Sequence, residues 1–168
     1  MQAQIKMNPY RIISATNDKY MHLKVTDMAQ SMSFYVDLLG FKTDLVYEDH
    51  TAAYLSAGSH HYLLALDTWF EQHLPQSEAQ GTSIFHSLIQ YPTRKDLAIV
   101  YLHLKKAAYP LIDAVDLRVS EVIYLADPDG NGLELCWDRP EKEGSKQPKD
   151  VFDRSSHPLD LEDLLRAL

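Results

Sequence analysis

The stretch that decides the fold is EVIYLADPDGNGLELCWD, residues 121–138. Apolar residues dominate both ends of it, and the six residues Asp-Pro-Asp-Gly-Asn-Gly separate these ends at 127–132. Asp-Gly and Asn-Gly pairs adopt the positive φ angles that tight turns require, so they are among the strongest short hairpin signals. We therefore predict two antiparallel strands, at 121–127 and 133–138, joined by this turn.

The first part of the chain predicts a strand, a helix and three more strands. Residues 20–26 alternate like a half-buried strand, and Asp27 is placed to cap a helix over 28–39 that Gly40 ends. Strand-like segments follow at 41–48, 52–57 and 61–67. The polar segment 68–82 contains Pro75 and Gly81 and is predicted to be a connecting loop.

The same pattern then begins again. Residues 84–91 are a strand candidate, and Pro92 with Thr93 opens a helix whose apolar residues recur at helical spacing. The hairpin completes this second unit, so modules at about 18–68 and 83–140 form an internal repeat within one domain of residues 1–140. Residues 141–168 are predicted to be a charged linker followed by a short helix with one leucine-rich side.

Two sequence offsets align the repeats. An offset of 64 places His22 on His86, and an offset of 70 places Tyr54 on Tyr124 and Leu64 on Glu134. Equivalent strand positions of two modules related by pseudo-symmetry face each other across a shared cavity. The alignment therefore predicts that His22, His86 and Glu134 meet there.

Two imidazoles and one carboxylate are the donor set of facial-triad Fe(II) sites, and they also suit Mn, Ni or Zn. Because Leu64 supplies no fourth donor, such a site keeps open positions for a bidentate substrate and a co-substrate. The alternative readings are structural: a single strand histidine is more often not a ligand, and Glu134 can lie on a solvent-facing edge. The matching tyrosines at 54 and 124 are better explained by an architecture that the two modules share than by catalysis.

Composition narrows the classes of partner. The chain has 168 residues with a formal net charge of −8 and no basic cluster, which disfavours nucleic acid. It has no apolar run long enough to span a membrane, and its start lacks the apolar stretch of a secretory signal. Cys136 is the only cysteine. We therefore expect a cytoplasmic protein that acts on a small molecule.

Three motifs resemble the vicinal oxygen chelate superfamily, which includes glyoxalases, bleomycin-resistance proteins and extradiol dioxygenases. They are HLKVTD at 22–27, SFY at 33–35 followed by LGF at 39–41, and YLADPDGNGLE at 124–134. VSE at 119–121, WDRP at 137–140 and PLDL at 158–161 are similar to catechol-2,3-dioxygenase-like members. The resemblance covers residues 18–140 closely and the remainder loosely.

This resemblance implies an α+β fold of paired βαβββ modules, with curved mixed sheets around a metal cavity. It implies that His22, His86 and Glu134 bind a divalent metal, with Fe(II) favoured and Mn, Zn or Ni as alternatives. It also implies that Tyr124, ten residues before the carboxylate ligand, orients or deprotonates the substrate. The expected reaction is extradiol ring cleavage by a metal-dependent enzyme.

The chain departs from that subgroup in two respects. The subgroup has an Asp-His pair before the Val-Ser-Glu stretch, and here the pair is Asp116-Leu117. Loss of that acid–base group removes a step worth roughly 10²–10⁴-fold, unless His61 or His103 replaces it. Related members also often carry a second pair of modules, so a homodimer is expected.

Three other functions stay open. A glyoxalase-like lyase or isomerase employs a fourth, carboxylate ligand, which Leu64 does not provide. The second is an antibiotic-resistance transferase. A protein that sequesters a ligand without catalysis has no need of the three donors, although Leu117 fits lost catalysis.

Overall fold

The computed structural model describes residues 21–58, 60–68, 87–140 and 157–168, without the side chains of 60–62. Three predictions therefore fall on residues that are not described: the ligand His86, all of the predicted loop 68–82 except its first residue, and the predicted linker at 141–156. In the described part, no helix is both long and apolar enough to cross a membrane.

The first module contains four strands and one helical segment. Its strands are β1 (Met21–Lys24), β2 (Lys42–Val46), β3 (Ala52–Ala57) and β4 (His60–Asp67), in the order β1-β4-β3-β2. Helix α1 (Met28–Met32) follows β1 and continues as a π-helical segment, Ser33–Leu38. The Asp27 carboxylate accepts a hydrogen bond from the Gln30 N–H, which caps α1 as predicted. The π-helical geometry was not predicted.

The second module repeats this order. It contains β5 (Ser87–Gln90), α2 (Arg94–Lys106), β6 (Asp113–Asp116), β7 (Ser120–Ala126) and β8 (Gly132–Asp138). Strand β5 runs parallel to β8, as β1 runs parallel to β4, and the other pairs are antiparallel. The predicted helix and hairpin are confirmed, but β6 was missed because its sequence, Asp-Ala-Val-Asp, carries little apolar pattern.

The C-terminal segment packs against its own chain. Strand β9 (His157–Pro158) extends the second sheet beyond β6, and helix α3 (Leu161–Leu165) packs on α2. The Leu159 N–H donates to the Ala114 carbonyl at 2.9 Å, and Leu164 is fully buried. The leucine-rich side of the short helix therefore covers this domain.

The predicted α+β class is confirmed: two βαβββ modules form two curved mixed sheets that do not close into a barrel. One face of each sheet packs against the helices. Leu64 and Leu66 on β4 and Leu133 and Leu135 on β8 are fully buried on that face. Because successive strand residues point to opposite faces, the residues between these leucines lie on the other face, here called the inner face.

The turn at 127–132 joins the two modules. Asp127 is buried, and its carboxylate accepts hydrogen bonds from the Tyr35 hydroxyl at 2.7 Å and from Asn131. The Asp129 carboxylate accepts from the Thr26 N–H at 2.9 Å and from its hydroxyl at 2.6 Å. The hairpin turn therefore does more than reverse the chain, because it fixes the second module against the end of β1.

Candidate functional site

Glu134 and Tyr124 form the centre of the inner face of the second module. Glu134 is half-buried between the buried Leu133 and Leu135, and Tyr124 lies directly opposite it in the β7–β8 register. The Tyr124 hydroxyl hydrogen-bonds to the Glu134 carboxylate; desolvation and this bond raise the pKa of Tyr124. The phenol is therefore protonated at neutral pH and donates to Glu134.

Polar groups continue along the same face of β8. The Asp138 carboxylate accepts a hydrogen bond from the Gln90 amide at 2.6 Å and one from the Cys136 thiol at 3.4 Å. Burial raises the pKa of Cys136 to about 12, with Asp138 adding to the effect. The thiol is thus uncharged at neutral pH in the metal-free protein, which argues against a nucleophilic thiolate. On the neighbouring edge strand, Leu88 is 58% exposed and pairs with Glu134.

The first module carries a different set on its inner face. His22 on β1 pairs with Ala65 on β4, and Ala65 in turn pairs with Tyr54 on β3. The His22 Nε2 lies 3.4 Å from Oδ2 of Asp67. Sequence reasoning did not single out Asp67, although its position two residues beyond Ala65 places it on the same face. This half of the inner face thus offers an imidazole beside a carboxylate.

The strand pairing corrects the alignment of the repeats. Tyr54 and Tyr124 are equivalent, as the offset of 70 predicts, but Tyr54 pairs with Ala65 whereas Tyr124 pairs with Glu134. The counterpart of Glu134 is therefore Ala65 and not Leu64. Leu64 lies on the buried helix-facing side.

The same pairing changes the counterpart of His22. His22 pairs with Ala65, and Leu88 pairs with Glu134, so Leu88 is the equivalent of His22. The offset of 64 that aligned His22 with His86 is thus wrong by two residues for these strands. The physical reason is that the register of each edge strand is set by pairing with its parallel neighbour, β4 for β1 and β8 for β5. Aligning the sequences of β1 and β5 alone does not take this pairing into account.

The described residues do not by themselves contain a complete metal site. Within 21–58, 60–68, 87–140 and 157–168, no three His, Cys, Asp or Glu side chains lie close enough to share a metal ion. A three-donor site that uses Glu134 therefore needs a donor from elsewhere, and His86 is the predicted one. The donor chemistry fits, since neutral imidazoles and a carboxylate bind Fe(II), Mn, Zn and Ni.

One of the two candidate replacements for the missing acid–base group, His103, does not lie on the inner face. His103 lies on α2, where it hydrogen-bonds to the backbone of Asp37 and Leu38 on the helix side of the sheets, and burial lowers its pKa. The side chain of His61 lies outside the described part. Leu117 occupies the β6–β7 turn, where its N–H donates to the Ser120 carbonyl at 2.9 Å.

Comparison with known proteins identifies similar chains. Residues 18–135 match the Glyoxalase/Bleomycin resistance protein/Dioxygenase superfamily. Catechol-2,3-dioxygenase of Bacillus subtilis (strain 168) is 30% identical over 150 residues, which cover 89% of this chain and 51% of that protein. Biphenyl-2,3-diol 1,2-dioxygenase 3 of Rhodococcus globerulus is 28% identical over 153 residues, covering 86% of this chain and 80% of that protein.

Solved structures agree on the fold. A glyoxalase/dioxygenase from Nostoc punctiforme has a TM-score of 0.58 at 20% identity, covering 72% of this chain and 90% of its own. Lactoylglutathione lyase from Agrobacterium tumefaciens has a TM-score of 0.55 at 15% identity, covering 74% of this chain and 96% of its own. At these identities the likeness concerns architecture alone.

Proposed function

Because the chain belongs to the glyoxalase/bleomycin resistance protein/dioxygenase superfamily, we propose that it is a metal-dependent enzyme acting on a small substrate with two adjacent oxygens. The reaction we propose is extradiol cleavage of a catechol-like ring. The observation that carries this proposal is the half-buried Glu134 carboxylate with the Tyr124 hydroxyl hydrogen-bonded to it on the inner face. Two relatives that are dioxygenases support it.

We propose His22, His86 and Glu134 as the metal donors. Fe(II) is the favoured ion, and Mn, Zn or Ni suit the same donors. When bound, such an ion supplies Lewis acidity and a template that holds both substrate oxygens. Glu134 has the strongest structural support, since its half-buried carboxylate lies on the inner face beside the Tyr124 hydroxyl. His22 and His86 rest on donor type and family resemblance.

Tyr124 is the residue we propose for substrate handling. Its raised pKa keeps the proton on the phenol, so Tyr124 can donate a hydrogen bond to a substrate oxygen that approaches Glu134. The exposed Leu88, which pairs with Glu134 on the neighbouring strand, offers an apolar surface against which a flat ring can pack. Together these groups orient a diol with its oxygens toward Glu134 and its ring toward Leu88.

The alternatives are weaker on the same observations. A glyoxalase-like site with a fourth carboxylate would need one in the first module, and the counterpart of Glu134 there is Ala65. A transferase has no observation of its own in its favour. Leu117 fits a ligand-sequestering protein, because the β6–β7 turn carries a side chain that cannot transfer a proton, but such a protein has no need of the three donors.

Metal analysis of the full chain tests the proposal. The wild type, purified without added metal and then reconstituted anaerobically with Fe(II), is compared with His22→Ala, His86→Ala and Glu134→Gln. We expect stoichiometric iron in the wild type and loss of it in each variant. His103→Ala is the matched control, since His103 contacts backbone on the helix side.

Oxygen uptake with catechol then separates the reactions. Uptake with formation of a ring-opened product supports extradiol cleavage, whereas bound zinc or nickel without uptake supports the lyase alternative. A wild type that holds no metal after reconstitution contradicts the metal-dependent proposal altogether. Retention of iron by one of the three variants removes that residue from the donor set.

We also propose a cytoplasmic homodimer that contacts neither nucleic acid nor membrane. The chain spans about half the length of the Bacillus subtilis relative, 51%, and a second copy would supply a second pair of modules. The net charge of −8 disfavours nucleic acid. Light scattering during gel filtration is expected to give the mass of two chains, and a monomeric mass contradicts the dimer.

A further inference from the structure

We propose that Gln90 and Asp138 determine substrate specificity: they form a pair of hydrogen-bond acceptors that binds a protonated amine carried by the ring of the diol. This inference rests on the proposed function, in which the diol oxygens lie toward Glu134. It narrows the substrate class to catechols with a short cationic side chain. The pair recognises that side chain and has no role in the cleavage of the ring.

Strand pairing places the pair on the same face as Glu134. Gln90 lies two residues beyond Leu88 on β5, and Leu88 pairs with Glu134. Asp138 lies four residues beyond Glu134 on β8, so it is on the same face at a distance of about 13 Å along the strand. A ring that packs on Leu88 with its oxygens toward Glu134 therefore directs a substituent opposite these oxygens toward Gln90 and Asp138.

The contacts within the pair leave acceptors for a further donor. The Gln90 Nε2 donates to Oδ2 of Asp138 at 2.6 Å, and the Cys136 thiol donates to Oδ1 at 3.4 Å. A carboxylate has about four lone-pair sites and can only accept, so each oxygen keeps a lone pair. Because the Gln90 nitrogen faces Asp138, the carbonyl oxygen of the amide also remains an acceptor. An ammonium group, which only donates, matches this arrangement.

The charge of Asp138 is not neutralised by a neighbouring cation. Arg139 follows it in the chain, but the Arg139 guanidinium pairs with Asp116 and Glu121, each at 2.8 Å. Over the parts of the chain that the structure describes, no lysine or arginine pairs with Asp138, whose side chain is exposed. Its two hydrogen bonds come from an amide and a thiol. A cationic ligand would supply the missing counter-charge.

The surface between Glu134 and Asp138 fits the apolar part of such a ligand. Cys136 lies between these two residues on β8 and pairs with Val122 on β7. Cys136 and Val122 are 6% and 2% exposed, so they form a floor and leave little polar surface. The charged groups of this strip thus lie at its two ends, where a diol and an ammonium group would bind.

Steady-state kinetics with catechols of similar size test the inference. The substrates are the cationic 4-(2-aminoethyl)catechol, the neutral 4-propylcatechol and the anionic 4-(carboxymethyl)catechol. With the iron-loaded wild type at low salt, we expect kcat/KM for the amine to exceed that for the propyl compound by about 5-fold. The difference should lie mainly in KM, and the anionic compound should have the lowest kcat/KM. Equal kcat/KM values for the three substrates overturn the inference.

Variants of the pair test which residues cause the preference. Asp138→Asn removes the charge, and Gln90→Lys introduces the residue of the equivalent position in the first module, Lys24. In both variants the ratio of kcat/KM for the amine to that for the propyl compound should fall to about 1. Glu48→Gln is the matched control, because it removes one charge from an exposed turn between β2 and β3. An unchanged ratio in Asp138→Asn, or an equal fall in Glu48→Gln, contradicts the assignment.

NMR of the metal-free protein gives a measurement that does not depend on turnover. The side-chain amide signals of Gln90 report on the pair, because this amide donates to Asp138. We expect 4-(2-aminoethyl)catechol to shift these signals in the wild type more than 4-propylcatechol does, and this difference to be lost in Asp138→Asn. Equal shifts with both compounds, or no shift with either, overturn the inference.

The two proposals fail in different ways. If the iron-loaded wild type turns over none of the three catechols, the proposed function fails, and the specificity for that reaction fails with it. If it turns over 4-propylcatechol as efficiently as the amine, only the role of the acceptor pair fails. Each ratio compares two substrates on the same protein, so a variant with less folded enzyme gives the same ratio.

Discussion

One pair of equivalent residues shows how the same strand position gains different chemistry in the two modules. Tyr54 and Tyr124 occupy the same place in their sheets, yet Tyr54 pairs with Ala65 and Tyr124 with Glu134. Tyr54 stacks loosely on Tyr47, with ring centroids 6.2 Å apart. Tyr124 instead hydrogen-bonds to a carboxylate, and desolvation together with this bond raises the pKa of Tyr124. The two tyrosines therefore differ in their cross-strand neighbour, and it is Glu134 opposite Tyr124 that gives this position its proposed role in the reaction.

Replacing Tyr124 by phenylalanine tests its role in substrate handling. The change removes only the hydroxyl that donates to Glu134, so the ring still fills its place. We expect turnover of catechol by the iron-loaded protein to fall by roughly 10²-fold or more, while the stoichiometry of bound iron is kept. Steady-state oxygen uptake measures turnover, and metal analysis measures the iron.

Tyr54→Phe is the matched control for this experiment. It makes the same chemical change at the equivalent position, where the cross-strand partner is Ala65 instead of a glutamate. Its turnover is expected to equal that of the wild type. If the Tyr124→Phe variant also turns over catechol at the wild-type rate, Tyr124 has a structural role only.

At the scale of elements, the β7–β8 turn controls how the modules meet. Its two carboxylates receive hydrogen bonds from the first module: Asp127 from the buried Tyr35, and Asp129 from Thr26 and Ser31. Thr26 follows the strand that carries His22, and Asp129 precedes the strand that carries Glu134. The turn therefore links the two strands whose side chains are proposed to bind one metal.

Asp129→Ala is expected to weaken both stability and metal binding. The change leaves the Thr26 N–H and the fully buried Ser31 without their acceptor, which should cost about 1–3 kcal/mol of unfolding free energy. Because the turn fixes β1 against β8, iron affinity should fall as well. Urea unfolding measures the first effect and chelator competition the second.

Asp49→Ala provides a close comparison. The Asp49 carboxylate also accepts from a threonine N–H and hydroxyl, those of Thr51, but within a single surface turn of the first module. We expect it to lose some stability and to keep wild-type iron affinity. Unchanged iron affinity in Asp129→Ala would contradict a role for the turn in joining the site.

The elements that sequence predicts are those with strong local signals. Asp27 and Thr93 cap their helices, and the 127–132 turn forms its hairpin, because each depends on neighbours along the chain. Strand β6 has no such signal and is held by pairing with β7 and β9. The counterparts of His22 and Glu134 depend on the register between strands that are distant in sequence. Alignment of single segments therefore gave His86 instead of Leu88, an error of two residues, and Leu64 instead of Ala65, an error of one.

At the scale of the whole molecule, the C-terminal segment is joined to the second module by a network of charges. The buried Glu121 accepts hydrogen bonds from Arg94 on α2 and from Arg139 after β8. Arg94 also pairs with Asp163 of α3 at 2.8 Å. The buried carboxylate of Glu121 is thereby compensated by two guanidinium groups, and one of them, that of Arg94, binds the C-terminal helix to α2.

The burial of two leucines in the C-terminal segment predicts how much this segment stabilises the domain. Leu164 is fully buried, whereas Leu168 is 49% exposed. Leu164→Ala should cost about 3 kcal/mol because it leaves a cavity, which corresponds to a fall in Tm of about 10 °C for a chain of this size. Leu168→Ala should change unfolding free energy by less than about 0.5 kcal/mol. Equal Tm values for the two variants, measured by calorimetry, would mean that the segment does not pack on the domain in solution.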